Sequence, residues 1–326
     1  MRPDTPDPWP RYDELPELAT GARSGWHVFG PDDQVGLLNL QTPTSVAGAA
    51  ATVTSGEVFS LNAEIGLIAP AMFGRNAPRH SLIEDDSRCD FDDVLDDFNP
   101  QSSSQWDSLA HVGYASDTFY NGATAGQIAA GERNTIEHWA TRGIAGRGVL
   151  IDVEALYVSR HGAFDPGETT LITVADLEEA RQRAGVRWRP GDVLMLHTGF
   201  LGWYLDADEP TRERYGSPDP LTLTSAGLDR GPDMLAYLWD SRISAVVADN
   251  PAVEAMPFDV RPSARPYGFL HTCLIGQLGM ALGELWWLRD LARACRQDGR
   301  HDVLLVSAPL HVRGGIGSPA NALAIR

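Results

Sequence analysis

The sequence predicts a single α/β domain, and three observations carry that reading. Short apolar runs bounded by glycine or charge, at 148–153, 193–197 and 243–249, have the composition of buried strands. Between them lie segments of helical character, as at 174–184, rich in Glu, Ala and Arg. No internal repeat and no obvious linker interrupts the alternation, and 326 residues are enough for one sizeable core.

In chain order, residues 1–24 read as a polar arm with proline at 3, 6, 8, 10 and 16, one that wraps a neighbour or stays poorly ordered. The domain proper is 25–326. Residues 43–55 predict a helix capped by Thr44 or Ser45 and stopped by Gly56. Residues 57–65 alternate apolar and polar side chains and predict a strand. The stretch 69–100 has no steady period and carries eight acidic residues between Glu84 and Asp97. It reads as a solvated loop of the length that often forms a lid, without the spacing of a calcium loop. Residues 225–240 read as helical with a break at Gly231 and Pro232. Residues 271–295 form the longest helical candidate, weakened by Gly276, Gly279 and Gly283, and 303–308 is a late strand.

Composition limits the function. A net charge of −18 argues against nucleic acid or an anionic membrane as partner. The N-terminus lacks the basic start and apolar run of a signal peptide, and no apolar stretch approaches a membrane span. Cys89, Cys273 and Cys295 are odd in number and widely spaced, which fits a reducing cytoplasm and excludes a CxxC zinc site. There is no G-x-S-x-G elbow and no Walker A loop. Gly315 and Gly317 sit too close to the C-terminus for a dinucleotide fingerprint and read as a tight turn.

One stretch is dense in coordinating groups. Gln101, Gln105, Asp107 and His111 fall within eleven residues. Gln105 and Asp107 share a face if the backbone is extended, and Asp107 and His111 share a face if a helix begins at Asp107. Such a changeover would aim an amide, a carboxylate and an imidazole at one point, as in a hydrolytic metal site. The competing reading is a polar loop in which Asp107 caps a helix and His111 is a core histidine.

The segment resembles the metal-binding signature of the cyclase family, metal-dependent hydrolases that include kynurenine formamidase and isatin hydrolase. Asp107 and His111 match the family pattern H-x-G-T-H-x-D-x-P-x-H, with Gln101 and Gln105 where its first and second histidines stand. The glutamine form is similar to the longer branch of the family that includes trans-dienelactone hydrolase. Further matching stretches are 36–39, 146–152, 191–199, 248–254, His271 with Glu284, and 314–321.

The resemblance implies a mixed sheet with a barrel-like β/β/α (swivelling) architecture and one divalent metal ion. It implies hydrolysis of a lactone, cyclic amide or formamide by a metal-activated water. Asp107 is then the firmest ligand, and His111 is a ligand or the general base. Gln101, Gln105 and His271 join the candidate ligands, and His271 and Glu284 complete the sphere or relay a proton. Amide oxygens in place of imidazoles shift preference from zinc toward manganese. Trp106, His138, His197, Asp249, Asn250 and Glu254 are expected near the substrate pocket. The other histidines, at 27, 80, 161, 301 and 311, have no supporting partner. A small-molecule substrate and a homo-oligomer, dimer or tetramer, are expected. Two other readings stay open: a metal-dependent dehydratase or cyclase, and a non-catalytic family member that has lost its metal.

Overall fold

The computed structural model describes residues 6–19 and 21–326. In chain order the strands are β1 (Val58–Ser60), β2 (Arg79–Glu84), β3 (Phe91–Asp96), β4 (Gln105–Asp107), β5 (Ile144–Asp152), β6 (Leu171–Ile172) and β7 (Val193–His197). They continue with β8 (Gly227–Leu228), β9 (Ala245–Ala248), β10 (Ala281–Glu284), β11 (Asp302–Ser307), β12 (Gly317–Pro319) and β13 (Ala322–Ile325). Nine of them form one strongly curled mixed sheet in the order β1-β13-β11-β5-β7-β9-β10-β4-β12. The expectation of a single α/β domain around a mixed, barrel-like sheet holds.

The centre of the sheet is parallel: β5 pairs with β7, β7 with β9, and β9 with β10. These are the apolar runs of the sequence. Each residue of β7, β9 and β10 is buried, as strands covered on both faces require. Antiparallel wings close the two sides, with β11, β13 and β1 beyond β5, and β4 and β12 beyond β10. Because the central strands run the same way, Asp152, His197, Asp249 and Glu284 all reach the carboxyl-end rim. Antiparallel β4 enters from that rim, with Gln105 opposite Glu284.

Several local expectations are corrected. Residues 271–295 are not one helix. A helix at Leu270–Leu274 ends, the chain turns into β10, and a second helix follows at Arg289–Asp298. The glycines force the turn. A Cβ at Gly276 would lie 2.5 Å from the Tyr114 nitrogen, and Gly279 has φ +68° with the Tyr120 ring against it. The first helix is Pro43–Ala50, capped by Thr42, whose hydroxyl accepts from the Ser45 N–H at 3.2 Å; proline at the first helical position selects that start. Within 57–65 only β1 pairs. Residues 225–240 divide into β8 and the helix Pro232–Asp240, which begins where Pro232 has no N–H to donate.

The acidic stretch 69–100 is not a plain loop. Its middle is a two-stranded ribbon of β2 and β3, exposed at every position. Its apolar residues come as the adjacent pairs Leu82–Ile83 and Val94–Leu95, so no period-two pattern marks these strands in the sequence.

The described residues of the arm pack on their own chain. Trp9 is buried against Trp239, ring centroids 4.8 Å apart, and each indole N–H donates to a backbone carbonyl beside the other ring. The Tyr12 N–H donates to Asp240 at 2.7 Å, and the Tyr12 ring is buried. The arm's aromatics are thus covered by the helix Pro232–Asp240 of the same chain. Residues 1–5 and 20 lie outside the described residues.

A main core fills both faces of the sheet. A smaller one, with Met72, Phe200, Tyr204, Tyr215, Met256 and Leu285, covers part of the carboxyl-end rim. Among the described residues no helix is long and apolar enough to cross a membrane.

Candidate metal centre

Strand β4 is three residues long and buried between β10 and β12. Its pleat sends Gln105 and Asp107 to one face and Trp106 to the other. Trp106, expected at the substrate pocket, is instead a core residue. It is fully buried, its N–H donates to the Ser307 hydroxyl at 2.9 Å, and it meets Trp286 and Trp139 edge-on at 4.9 and 6.1 Å. Opposite pleats exclude it from the face its neighbours share.

On the Asp107 face the structure gathers Asp107, His271 and Glu284, with one ligand atom from each within 4.8 Å of the others. All three are buried. The first comes from β4, the second from the short helix after the rim, and the third from the end of β10. Glu254 organises the group from behind. Its carboxylate accepts the N–H groups of Leu270 and His271 at 2.7 and 3.0 Å and pairs with His271 Nδ1 at 2.8 Å. A proton on Nδ1 turns Nε2 toward the centre, where it lies 3.0 Å from Glu284. This carboxylate–histidine arrangement is how metal-binding imidazoles are oriented.

Electrostatics agree. Burial and the nearby Asp107 carboxylate push the Glu284 carboxyl up. Burial opposes charge on His271, but its hydrogen bonds to Glu254 and Glu284 outweigh that and raise it to about 10. Asp107 Oδ2 is buried and accepts no hydrogen bond from any described residue. Leaving such an acceptor dry costs about 1–3 kcal/mol or more for a charged group. A divalent cation resolves the orphaned oxygen, the excess of carboxylate and the aimed imidazole together. The donor set of Asp107, Glu284 and His271 fits a divalent metal ion.

The glutamines are drawn into the same cluster. Gln101 donates to Asp107 and lies 3.2 Å from His111 Nδ1; Gln105 donates to Glu284 at 2.5 Å. In this arrangement each amide NH2 holds a carboxylate of the cluster, and the Gln105 oxygen faces Arg75 Nη1 at 3.4 Å. His111 is brought to Asp107 by a tight turn, its N–H bonding to the Ser108 carbonyl, where a helix was expected. Its Nε2 is 3.8 Å from Asp107, and at 26% exposure it is the open edge of the centre.

His197 and Asp249 lie two strands and one strand away along the rim, in a separate cluster. His197 pairs with Asp152 at 3.1 Å, and Arg296 caps Asp152 and Glu154. Asp249 accepts the Thr198 and Gly199 N–H groups and the Thr198 hydroxyl. Asn250 closes a turn through Ala226 and Val253. His138 is half-buried beside Glu137 and Arg133, and burial lowers its pKa. None of these four touches Asp107, His271 or Glu284.

A cleft of about 650 Å³ opens beside Gln101, walled by Phe98, Asn99, Leu310, Val312, Ile316 and Gly317. Gly317, read as a turn glycine with pocket lining the lesser alternative, opens β12 and lines this cleft; a Cβ there would meet the Gln101 side chain at 2.7 Å. Sequence reasoning missed two further contributors. Arg75 donates to the Gln101 carbonyl at 2.5 Å and packs over Phe73. Phe269 stacks on the His271 ring at 4.9 Å, with Phe258 behind it at 4.5 Å from Phe269. No spacing signal links these residues to the motif.

A parallel-centred curled sheet with a buried carboxylate–histidine cation centre at its rim defines the class of protein. The chain belongs to the cyclase family: it matches that family, described as “Putative cyclase”, over residues 59–255. A crystal structure of a novel cyclase is similar at 32% identity, covering 93% of this chain and 99% of that one, with a TM-score of 0.81. An isatin hydrolase bound to the product analogue thioisatinate shares the fold at 17% identity, 86% and 97% coverage, and a TM-score of 0.56. Isatin hydrolase A from Ralstonia solanacearum does so at 19% identity, 87% and 97% coverage, and 0.54. A comparison with curated proteins gives no match.

Proposed function

We propose that this chain is a metal-dependent hydrolase that opens a lactone, cyclic amide or formamide. The observation that carries the reading is the buried Asp107–His271–Glu284 group with its orphaned Asp107 oxygen, set beside an open cleft. Those three residues would hold one manganese or zinc ion, with Gln101, Gln105 and His111 in reach of the same point. Such an ion, when bound, polarises an acyl oxygen and makes water acidic enough to attack at neutral pH.

The chain's own groups do the rest. Glu254 fixes the His271 tautomer. His111, at the exposed edge, takes the proton that water loses as its oxygen bonds to the acyl carbon. The same imidazole returns a proton to the departing oxygen or nitrogen as the C–O or C–N bond breaks. Phe269, with Phe258 behind it, packs an apolar face against the His271 ring. A panel of lactones, imides and aryl formamides, assayed with manganese and zinc in oxygen-18 water, tests this. Label in the new carboxylate supports hydrolysis. A product without label supports dehydration or cyclisation on the same centre. Metal-free, inactive protein from a purification without chelator supports a non-catalytic member.

The three unpaired cysteines suit a reducing cytoplasm. Assembly follows from the ribbon. A two-stranded hairpin is marginal at best in water by itself. In this register Leu82, Phe91 and Leu95 share one face as a diagonal stripe, exposed by 67, 58 and 38%. A two-fold partner would cover that stripe. Sedimentation of Leu82→Ser/Phe91→Ser protein should show a weakened dimer; a parent that is monomeric at micromolar concentration would remove the idea.

A further inference from the structure

Arg75 stands between the ribbon and the metal centre. Its Nη1 is committed to the Gln101 carbonyl and approaches the Gln105 amide oxygen. Its guanidinium carbon sits 5.1 Å from the centroid of the Phe73 ring, which fixes the plane of the fork. Its Nε and Nη2 make no hydrogen bond or ion pair to any described residue, and neither is buried. Two donors of a held guanidinium therefore stay open next to the centre, in the fork geometry that a carboxylate fills with two parallel hydrogen bonds.

The other charges nearby do not occupy that fork. Asp97, in the cleft wall, is taken by Arg79 at 3.0 Å. Glu284 and Asp107 face the cation position, and Gln105 and Gln101 stand on them. The remaining polar groups of the cleft beside Arg75 are uncharged amides, Asn76, Asn99 and Gln101. Nε and Nη2 of this half-buried guanidinium are thus left to solvent or to a ligand.

We propose that Arg75 is the specificity-determining residue for charge: it receives a carboxylate carried by the substrate close to the bond that is cut. The substrate class is then an anionic lactone or cyclic amide, with the scissile carbonyl directed to the centre and the acid to Arg75. This rests on the hydrolase reading above, which supplies the scissile carbonyl.

Binding is the test, so that failure of turnover and failure of Arg75 can be told apart. Manganese-loaded protein is titrated calorimetrically with pyroglutamate, a five-membered lactam acid, and with pyroglutamamide, its neutral counterpart. Turnover is followed separately with 5-oxotetrahydrofuran-2-carboxylate and its N-methylamide. The parent should bind the acid at least about tenfold more tightly than the amide, the worth of a charge-assisted pair. Arg75→Met should bring that ratio close to one, and Arg75→Lys, which keeps the charge and loses the fork, should fall between. Circular dichroism and metal content confirm that the variants are folded and loaded. A parent that does not discriminate, an Arg75→Met protein with the parent's ratio, or no measurable binding of either compound overturns the proposal. If the lactones are not cleaved but the ratio behaves as expected, the hydrolase reading fails and the Arg75 assignment stands.

Discussion

Asp107→Asn is the sharpest perturbation of the centre. It keeps the shape of the side chain and removes one charge. One amide atom can still accept from Gln101, while the other puts an NH2 where the orphaned Oδ2 now sits. In the metal-free protein the change should be nearly silent. Glu284 and His271 both offer atoms within 4.8 Å. At that separation and an effective dielectric constant of about 20, a unit charge pair is worth roughly 3.5 kcal/mol. Repulsion from the carboxylate and attraction to the imidazolium oppose each other, so removing Asp107's charge loses both. With metal present the proteins part. An ion at one hundred times its Kd stabilises the native state by about 2.7 kcal/mol. For 326 residues, an unfolding entropy of about 2.1 cal/mol/K per residue turns that into a rise of about 4 °C in Tm. The parent should show this rise with manganese or zinc, and the variant less than about 1 °C. Thermal melts across a metal titration, with metal content measured after dialysis, give the answer. A variant that keeps the full metal-dependent shift and stoichiometric metal would refute Asp107 as a ligand and, with it, the centre.

Three further outcomes follow from the same geometry. Gln105→His should bind zinc about tenfold more tightly, because position 105 is one hydrogen bond from Glu284 and imidazole is the better zinc ligand; competition with a chromogenic chelator reads this, and an unchanged affinity would place residue 105 off the ion. Trp106→Ala should cost about 3–5 kcal/mol in urea denaturation, since a fully buried indole leaves a cavity and strands the Ser307 hydroxyl; a loss under about 1 kcal/mol would contradict its place in the core. His197→Gln bears on pH. Burial opposes charge on His197, but Asp249, Asp152 and Glu154 outweigh it and raise its pKa. The proton is thus held more tightly in the folded state, and its stabilisation is full below the unfolded value of about 6.5 and lost as pH rises through the raised one. The gap in Tm between parent and variant should therefore be larger at pH 6 than in alkaline buffer, and a gap that widens with pH would reverse the assignment.

The buried strands were legible because burial on both faces leaves a local record. Residues 193–197 are apolar up to His197, and they form β7 with those bounds. The motif was legible for a similar reason: Gln105 and Asp107 sit two apart on one pleat, and a turn brings His111 back to them. The ribbon was illegible, because its apolar residues come as adjacent pairs, Leu82–Ile83 and Val94–Leu95, and show no alternation. The helix expected over 271–295 failed because the periodicity of its side chains says nothing about Tyr114 and Tyr120, which press on Gly276 and Gly279 from another part of the chain. The sequence by itself determined an acidic α/β chain with buried parallel strands and a cluster of coordinating side chains around Asp107. Only the tertiary structure decided which distant groups complete that cluster. Glu284 meets Asp107 through the register of β10 on β4. His271 arrives on the short helix Leu270–Leu274, held by Glu254, and Arg75 reaches Gln101 and Gln105 from the segment before the ribbon. It also sent Trp106 to the core and His197 to a cluster of its own. Pairing register and strand order are properties of contacts between residues far apart in the chain, and no local pattern encodes them.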